Sequence, residues 1–181
     1  MIEDRLLIWR LRRGSRDALR RVYQKHAEQM LSLATGMLGN LHEAEDVVHD
    51  VFVAFARSAH RIKLSGSLKA YFAVCVTNKV RDRVRARRRQ VTTSLEEPES
   101  FPSGEASPDL AAIRDEELCR LARALMQLPN KQREVVVLRL HGGMKFRQIA
   151  ELQETSINTV QGRYRYGLDK LRSLLDSEIQ R

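Results

Sequence analysis

Three groups of side chains in this sequence of 181 residues have types and spacings that could do chemistry. The first group is a run of six arginines within nine residues: Arg81, Arg83, Arg85, Arg87, Arg88 and Arg89. Cations suit the C-terminal end of a helix, but six of them exceed that need. Guanidinium groups in this number would follow a phosphate backbone and make the binding strongly dependent on salt. The alternative is a solvated charge run in front of a linker.

The second group lies in FRQIAELQETSINTVQGRYRYGLDKLR, residues 146–172. A short helix bearing Ile149 and Ala150 is followed by a tight turn and by a longer helix that Ser156 can cap. This pattern is typical of a helix-turn-helix, whose second helix presents its N-terminal residues to base edges in a major groove. The periodicity turns outward Asn158, Gln161, Gly162, Arg165 and Tyr166. Asn and Gln can bond adenine and Arg can bond guanine, whereas an ordinary helical hairpin with a polar outer face is the alternative.

The third group is HEAEDVVHD, residues 42–50, whose His42, Asp46, His49 and Asp50 fall near one helical face. The pair Asp46-x-x-His49 resembles half of a carboxylate–histidine metal site. No second helix of this kind supplies the remaining ligands, so a metal site is disfavoured. An acidic stripe on an otherwise basic segment favours a docking surface for a basic partner.

Motifs of enzymes are missing from the sequence, which contains no GxxxxGK[ST], GxSxG or HExxH. Cys75 lies among apolar residues and Cys119 beside two glutamates, so neither is placed as a nucleophile. We therefore predict no catalytic residues, no cofactor and no metal. Two distant cysteines, no apolar run of 18 residues and no signal-peptide pattern predict a reduced, cytoplasmic protein without membrane insertion.

The charge is distributed unevenly along the chain, whose formal net charge is +9. Residues 1–90 hold 19 Lys and Arg against nine Asp and Glu, and residues 113–181 hold 13 against nine. Residues 91–112 hold five acids, no bases and three of the four prolines. Such a segment buries too little apolar surface to offset its ordering entropy, which predicts a flexible linker between two modules.

Apolar spacing of three and four residues predicts helices in both modules. Before the linker the predicted helices are Ile2 to Arg13, Ser15 to Gly39-Asn40, about His42 to Ala59, and Ser67 into the arginine run. After it they are Asp109 to about Gln127, Lys131 to Leu140, Phe146 to Leu152, and about Ile157 to Leu175. The sequence therefore predicts an all-α fold with a four-helix N-terminal domain and a C-terminal helix-turn-helix domain.

Four fragments, in this order and spacing, resemble bacterial RNA polymerase sigma factors of the extracytoplasmic-function (ECF) type. They are GNLHEAEDVVHDVFVAF, SLKAYFAVCVTNKVRDRVRARRR, LPNKQREVVVLRLHGGMKFRQIAEL and NTVQGRYRYGLDKLR. The resemblance covers nearly the whole chain. It implies a region 2 domain over residues 1–90, a linker over 91–112 that threads toward the polymerase cleft, and a region 4 domain over 113–181.

The same resemblance implies partners and site residues. Asp46, His49 and Asp50 would dock on the clamp helices of the large subunit of core RNA polymerase, and the helix around Val135–Leu140 with the last apolar turn would dock on its flap. Promoter DNA would be bound at the minus-ten element by His60, Arg61, Lys63, Ser65, Asn78, Arg81, Arg85 and Arg88. The minus-thirty-five element would be read by Ser156, Asn158, Thr159, Gln161, Gly162, Arg163 and Arg165. An anti-sigma factor is a further implied partner.

Departures from the family pattern fall in both domains: in the first, Thr77 stands where Arg often precedes the Asn and His49 where Gln is common, and the others lie in the helix-turn-helix. Glu154 stands where Gly is usual, which predicts either a strain of about 1–2 kcal/mol in the turn or a turn of different shape. Lys145 stands where a Ser usually caps the first helix, and Gln161 and Gly162 where Lys and Ser are common. Two other functions remain open: a stand-alone helix-turn-helix regulator with the first bundle as sensor or dimeriser, and a metal-dependent bundle using Asp46 and His49.

Overall fold

The structure is a computed structural model that describes residues 2–62, 66–93 and 116–179. Every regular element in these ranges is helical, which confirms the all-α fold. The first group of helices is α1 (Ile2–Arg12), α2 (Arg16–Leu38), α3 (Leu41–Ser58), a 3₁₀ turn (Ala59–Arg61) and α4 (Leu68–Thr93). The second is α5 (Glu116–Met126), α6 (Asn130–Leu140), α7 (Phe146–Gln153) and α8 (Ile157–Ile179).

The predicted linker, residues 91–112, begins within a helix. The last turn of α4 continues to Thr93, and the rest of the linker lies outside the described residues. The predicted start of the next helix at Asp109 also lies outside them, and α5 is described from Glu116.

Side-chain caps set the helix boundaries of the first domain. The Ser15 hydroxyl accepts from the Ala18 amide at 3.3 Å and begins α2. The Asn40 side-chain oxygen accepts from the Glu43 amide at 3.0 Å and begins α3. Each cap satisfies one of the amides that a helix N-terminus leaves without an intrahelical partner. The chain passes from α2 to α3 through Gly39, which is left-handed at φ 70° and donates its amide to the last turn of α2.

An aromatic cluster forms the core between α2, α3 and α4. The Phe72 ring lies 4.7 Å from the rings of both Phe52 and Phe55, measured between centroids. Tyr23 meets the Phe52 ring edge-on at 5.0 Å and leaves its other side exposed. Tilted and edge-on pairs of this kind stabilise a core beyond the area that they bury. The cluster therefore fixes the orientation of α4 against α2 and α3.

Helix α1 completes the first domain through a buried carboxylate. Asp4 is 6% exposed and accepts a hydrogen bond from the Leu68 amide at 3.1 Å, so it satisfies the start of α4 from another helix. The Lys25 ammonium, 3.6 Å from the other Asp4 oxygen, balances its charge. The Arg12 guanidinium donates to the Ile62 carbonyl just before the loop. Both ends of α1 thus hold the segment that leads into α4.

Helix α6 is apolar on two faces, and both faces are buried. Val135, Val136, Val137 and Leu138 are fully buried although they are consecutive. A surface helix buries one stripe, so four consecutive buried residues require packing on two sides. A β-carbon placed on Gly167 of α8 would lie 2.9 Å from Val136, which shows the close packing within the second domain.

The other side of α6 packs against the first domain. A β-carbon built on Gly36 of α2 would lie 3.2 Å and 3.6 Å from the two γ-methyl groups of Val137. One on Gly39 would lie 2.7 Å from the Met126 sulfur of α5. The two glycines therefore allow α2 to approach α5 and α6 closely. The two domains pack directly on each other.

His26 is a buried imidazole in the core of the first domain. It is 4% exposed and lies 5.6 Å from the Phe72 ring, centroid to centroid. Neither ring nitrogen has a hydrogen-bond partner among the residues that the structure describes. Burial lowers the pKa of His26, against the opposing charge of Asp4. The folded protein therefore holds this side chain neutral.

The buried histidine predicts a loss of stability at acidic pH. The unfolded chain protonates near the ordinary pKa of about 6.5, whereas the folded chain resists, so the free energy of unfolding falls as pH drops below that value. The slope attributable to His26 is at most about 1.4 kcal/mol per pH unit. Chemical denaturation at a series of pH values from 7.5 to 5 measures it.

The matched variants are His26→Leu and His49→Gln. His26→Leu should flatten the slope, with the remainder coming from His141, whose pKa burial also lowers. His49→Gln, on the exposed surface of α3, is the control for removal of a histidine that is not buried. A slope as steep in His26→Leu as in the unmodified protein would contradict the assignment.

Candidate nucleic-acid interface

The helix-turn-helix is formed by α7 and α8, with the predicted cap at the start of α8. The Ser156 hydroxyl accepts from the Thr159 amide at 3.0 Å and lies 2.8 Å from the Thr159 hydroxyl. The predicted cap is therefore confirmed. At the start of α7 the Lys145 side chain offers no acceptor, as expected, and the Gln148 side chain accepts from the Lys145 amide at 2.9 Å instead.

The turn between the two helices is left-handed at a non-glycine residue. Glu154 has φ 51° and is the one non-glycine residue with positive φ in the described part of the chain. Its amide and that of Thr155 still bond the end of α7, Thr155 to the Ala150 carbonyl at 3.0 Å. The predicted backbone strain is therefore present in an otherwise ordinary turn.

The two faces of α8 are divided as the spacing predicts. Val160, Gly167 and Leu171 are buried, with Tyr164 and Leu168 half-buried beside them. Asn158, Gln161 and Arg165 are exposed and Gly162 is half-buried. The Arg165 guanidinium lies 5.1 Å from the centroid of the Tyr166 ring, which is 59% exposed. Two amides and a guanidinium on one open face can donate to and accept from base edges.

Arg163 does not belong to this open face. It is half-buried and donates to the Gln153 side-chain oxygen at 2.6 Å. Gln153 is 8% exposed and donates to the Glu134 carboxylate at 2.8 Å. Arg163 thus joins the two helices of the motif. Sequence reasoning missed Gln153, although a polar residue on the inward face of α7 requires a buried partner.

The arginines of α4 separate into two faces. Asn78, Arg81, Arg85 and Arg88 follow at spacings of three and four and lie on one side. Lys79, Arg83 and Arg87 lie on the other side and pair with acids of α3. The whole run was predicted to follow a phosphate backbone. In this structure Arg83 and Arg87 pair with carboxylates that α3 carries opposite them, and the role of the run stays a prediction.

The acidic stripe of α3 is exposed but paired within the domain. Asp50 lies 2.9 Å from the Lys79 ammonium, and Asp46 lies 3.0 Å from the Arg83 guanidinium. The hydrogen bond from Lys79 and its charge lower the pKa of Asp50. Their side chains remain 52% and 66% exposed, and His49 beside them is also exposed. Exposed pairs contribute about 0–1 kcal/mol, so a basic partner can replace these cations at small cost.

Arg81 is bound by the second domain. Its guanidinium faces the Glu134 carboxylate with two contacts, Nε to Oε2 at 3.1 Å and Nη2 to Oε1 at 2.5 Å. Its remaining nitrogen donates to the Leu152 carbonyl at 3.1 Å. The Arg81 side chain is 27% exposed and that of Glu134 is 12% exposed. The geometry is a forked, charge-assisted pair that joins α4 to α6 and α7.

The other residues predicted for the minus-ten element are only partly described. Asn78, Arg85 and Arg88 are exposed on α4, and Arg61 is exposed in the 3₁₀ turn. The side chain of His60 lies outside the described residues, as do Lys63 and Ser65.

The predicted flap-docking surface is largely inaccessible in this arrangement. The residues from Val135 to Leu138 are buried, and Leu140, 55% exposed, is the one apolar residue of Val135–Leu140 that points outward. In the last turns Leu171 is buried, and Leu174 and Leu175 are half-buried. An apolar docking surface over the whole of Val135–Leu140 is therefore corrected to an exposed end at Leu140.

Chemistry other than binding has little support in the described ranges. There, no three side chains of His, Cys, Asp or Glu are grouped so that they could hold a metal ion. Burial raises the pKa of the Cys75 thiol and raises the pKa of Tyr71 to about 12, so neither is activated. None of the described helices has the length and apolar character to cross a membrane.

Comparisons with known proteins give the same assignment for both domains. The family model for sigma-70 region 2 matches residues 22–90, and that for sigma-70 region 4 matches residues 120–171. ECF RNA polymerase sigma factor SigW of Bacillus subtilis is 24% identical, with 97% of each chain covered. RNA polymerase sigma factor CnrH of Cupriavidus metallidurans is 28% identical, with 98% of this chain and 97% of that one covered.

Solved structures agree at the level of the whole chain. The structure of CnrH in complex with the cytosolic domain of CnrY has a TM-score of 0.70 and 25% identity, covering 97% of this chain and 98% of that one. This protein therefore belongs to the RNA polymerase sigma factors of the sigma-70 family, and within them to the ECF type. Sigma factors of this family direct RNA polymerase to promoters and initiate transcription, and this chain has that function.

The left-handed Glu154 predicts a stabilising substitution. Glu154→Gly should raise the free energy of unfolding by about 0.5–1 kcal/mol, because glycine adopts this conformation without the β-carbon clash. Thermal or chemical denaturation measures the change. Glu151→Gly, in the last turn of α7, is the control and should lower stability by about 1 kcal/mol. Equal losses in both variants would mean that the turn is not strained.

Proposed function

We propose that the two domains divide promoter recognition, the first over residues 1–90 and the second over residues 113–181, joined through 91–112. The observation that carries the proposal is the open face of α8, where Asn158, Gln161 and Arg165 are exposed directly after the Ser156 cap. In a helix-turn-helix this part of the second helix enters the major groove. The second domain would read the minus-thirty-five element there.

Each residue of the α8 face has a role that follows from its surroundings. Asn158 and Gln161 would bond adenine edges, and Arg165 would bond guanine or phosphate. Ser156 and Thr159 hold the start of the helix, and their hydroxyls can also reach a phosphate. Gly162 leaves room for the DNA backbone, since nothing lies within 4 Å of a β-carbon placed there. Arg163 would contact DNA only after leaving Gln153.

The first domain would engage the minus-ten element along α4 and the preceding loop. Exposed Asn78, Arg85 and Arg61 supply amide and guanidinium donors, and Arg88 extends the face. The resemblance adds His60, Lys63, Ser65 and Arg81 to this surface. Separating the strands costs a few kcal/mol per unstacked base, which capture of the extruded base and cationic contacts to the single strand would offset.

Docking on core RNA polymerase would use the acidic stripe of α3. Asp46, His49 and Asp50 lie on one exposed face, and their cationic partners on α4 are weakly held. The clamp helices of the large subunit would replace these cations with their own. A second contact, between the end of α6 at Leu140 and the polymerase flap, would hold the second domain.

An inhibitory protein is a further proposed partner. The solved structure of CnrH contains the cytosolic domain of CnrY, and a structure of RpoE contains the anti-sigma factor NepR. By analogy this chain would be held by an anti-sigma factor in the cytoplasm until a signal releases it. In this proposal it acts without catalysis of its own, as a dissociable subunit.

Transcription in vitro tests the proposal directly. Purified core polymerase with this protein should start specifically on promoters selected from a genomic library, and core alone should not. The absence of a specific start would refute it. A stand-alone regulator would instead give a footprint on a palindromic operator with protein alone, and stoichiometric iron, manganese or zinc in the purified protein would favour a metal-dependent bundle.

If α8 contacts bases, substitution of a contacting residue should selectively weaken promoter-directed transcription. Arg165→Ala should weaken promoter-directed transcription by about 1–3 kcal/mol and relax the preference at one upstream position. The control is Lys170→Ala, exposed farther along α8, which should have little effect. Competition between promoter variants in run-off transcription measures both. Equal effects of the two substitutions would count against base contact.

Polymerase docking through α3 predicts an asymmetry between the two partners of one ion pair. Asp50→Ala should weaken binding to core polymerase about tenfold, because a charge at the interface is lost. Lys79→Ala breaks the same pair and should leave binding unchanged or stronger, because it leaves the acid free. Binding by fluorescence anisotropy separates the cases. Weakening by both variants would show that the pair only supports the fold.

A further inference from the structure

The surface between the two domains has an apolar part and a polar part, which together we call the seam. In the apolar part Val137 and Leu125 approach Gly36 of α2, and Gly142 approaches Ala73 of α4. A β-carbon on Gly142 would lie 3.2 Å from that of Ala73. Backbones that approach this closely bring the apolar side chains of the two domains into contact, which indicates a specific interface.

The polar part of the seam is a continuous chain of hydrogen bonds. It runs from Arg81 on α4 through Glu134 on α6 and Gln153 on α7 to Arg163 on α8. Glu134 accepts from Arg81 and from Gln153 with the same oxygen and is largely buried. Every link joins a charged or amide group to a matching partner, so removal of one member leaves another unpaired.

We propose that the two domains are docking partners of each other in the free protein, and that Glu134 locks this closed form by occupying Arg81. The proposal rests on the proposed function, in which Arg81 and Arg163 contact promoter DNA. In the closed form Arg81 donates to Glu134 and to the Leu152 carbonyl, and Arg163 donates to Gln153. Glu134 thus holds Arg81 directly across the two domains, whereas it reaches Arg163 only through Gln153 within the second domain.

The residues that line the seam indicate which kind of ligand would separate the two domains. A groove of about 300 Å³ lies beside the Arg81–Glu134 pair, with Met37, Val80 and Val84 as its apolar part. Its charged walls are Arg81, Arg85, Arg88, Lys131, Arg133 and Glu134. Five cations face one carboxylate, so the groove attracts anions. The phosphates of promoter DNA have the chemistry to replace Glu134 at Arg81.

A disulfide across the seam tests the closed form and its consequence together. Cysteines at positions 36 and 137 (Gly36→Cys with Val137→Cys) test this contact, because a β-carbon built at position 36 lies 3.2 Å from one γ-carbon of Val137, which is where a cysteine sulfur at position 137 can lie. Cys75→Ser and Cys119→Ser remove the native thiols. Oxidation should cross-link the free protein within the chain, as a mobility shift on a non-reducing gel. The single-cysteine variants are the controls and should show no shift.

Function of the cross-linked protein separates the two proposals. The oxidised protein should lose promoter-directed transcription at least tenfold, and dithiothreitol should restore it. A failure to cross-link, or full activity when cross-linked, would overturn the lock. A reduced protein that folds, measured by circular dichroism, but never initiates with core polymerase would instead overturn the proposed function.

Glu134→Gln tests the locking residue without engineered cysteines. The amide keeps the size of the side chain and removes the charge that holds Arg81. Free protein carrying this change should bind single-stranded minus-ten DNA roughly fivefold or more tightly, and cross-link more slowly across positions 36 and 137. Glu151→Gln, on the exposed side of α7, is the matched control. Unchanged DNA affinity and cross-linking in Glu134→Gln would contradict the role of this carboxylate.

Discussion

The burial of α6 on both of its sides is the constraint on which the rest of the structure depends. Four consecutive apolar residues, Val135 to Leu138, are buried, so this helix must be covered on two sides. One side is covered by α8, and the other by α2 of the first domain. The core of the second domain and the contact between the domains therefore meet on the same helix.

The partner of each charged side chain of α4 depends on which helix packs opposite that turn of α4. Lys79 and Arg83 face carboxylates of α3, and Arg81 faces Glu134 of the second domain. Asn78 is exposed, and Arg85 is exposed beside Asp82. One basic helix thus contributes to the first domain, to the seam and to the surface proposed for DNA. Salt acts differently on these groups, since exposed pairs are screened more than the largely buried Arg81–Glu134 pair.

Much of the fold could be predicted from local patterns. The caps at Ser15 and Ser156, the breaks at Gly39 and Pro129 and the inward face of α8 all follow from residue type and spacing within a few positions. The candidate site was only partly predictable. The sequence predicted Arg163 and Arg81 as DNA contacts. In the structure Gln153 binds Arg163 and Glu134 binds Arg81. These partners could not be predicted because they are distant in the chain or unmarked by any motif.

The sequence by itself determined the helices, the faces they present and the family to which the chain belongs, because caps, periodicity and motif order are local properties of the chain. The tertiary structure decided which charges remain available. Glu134 is 53 residues from Arg81, and Asp46 is 37 residues from Arg83. A cation is free or bound according to what lies within about 4 Å of it in space. The packing of α6 against the first domain sets the first of these pairs, and the packing of α3 against α4 sets the second.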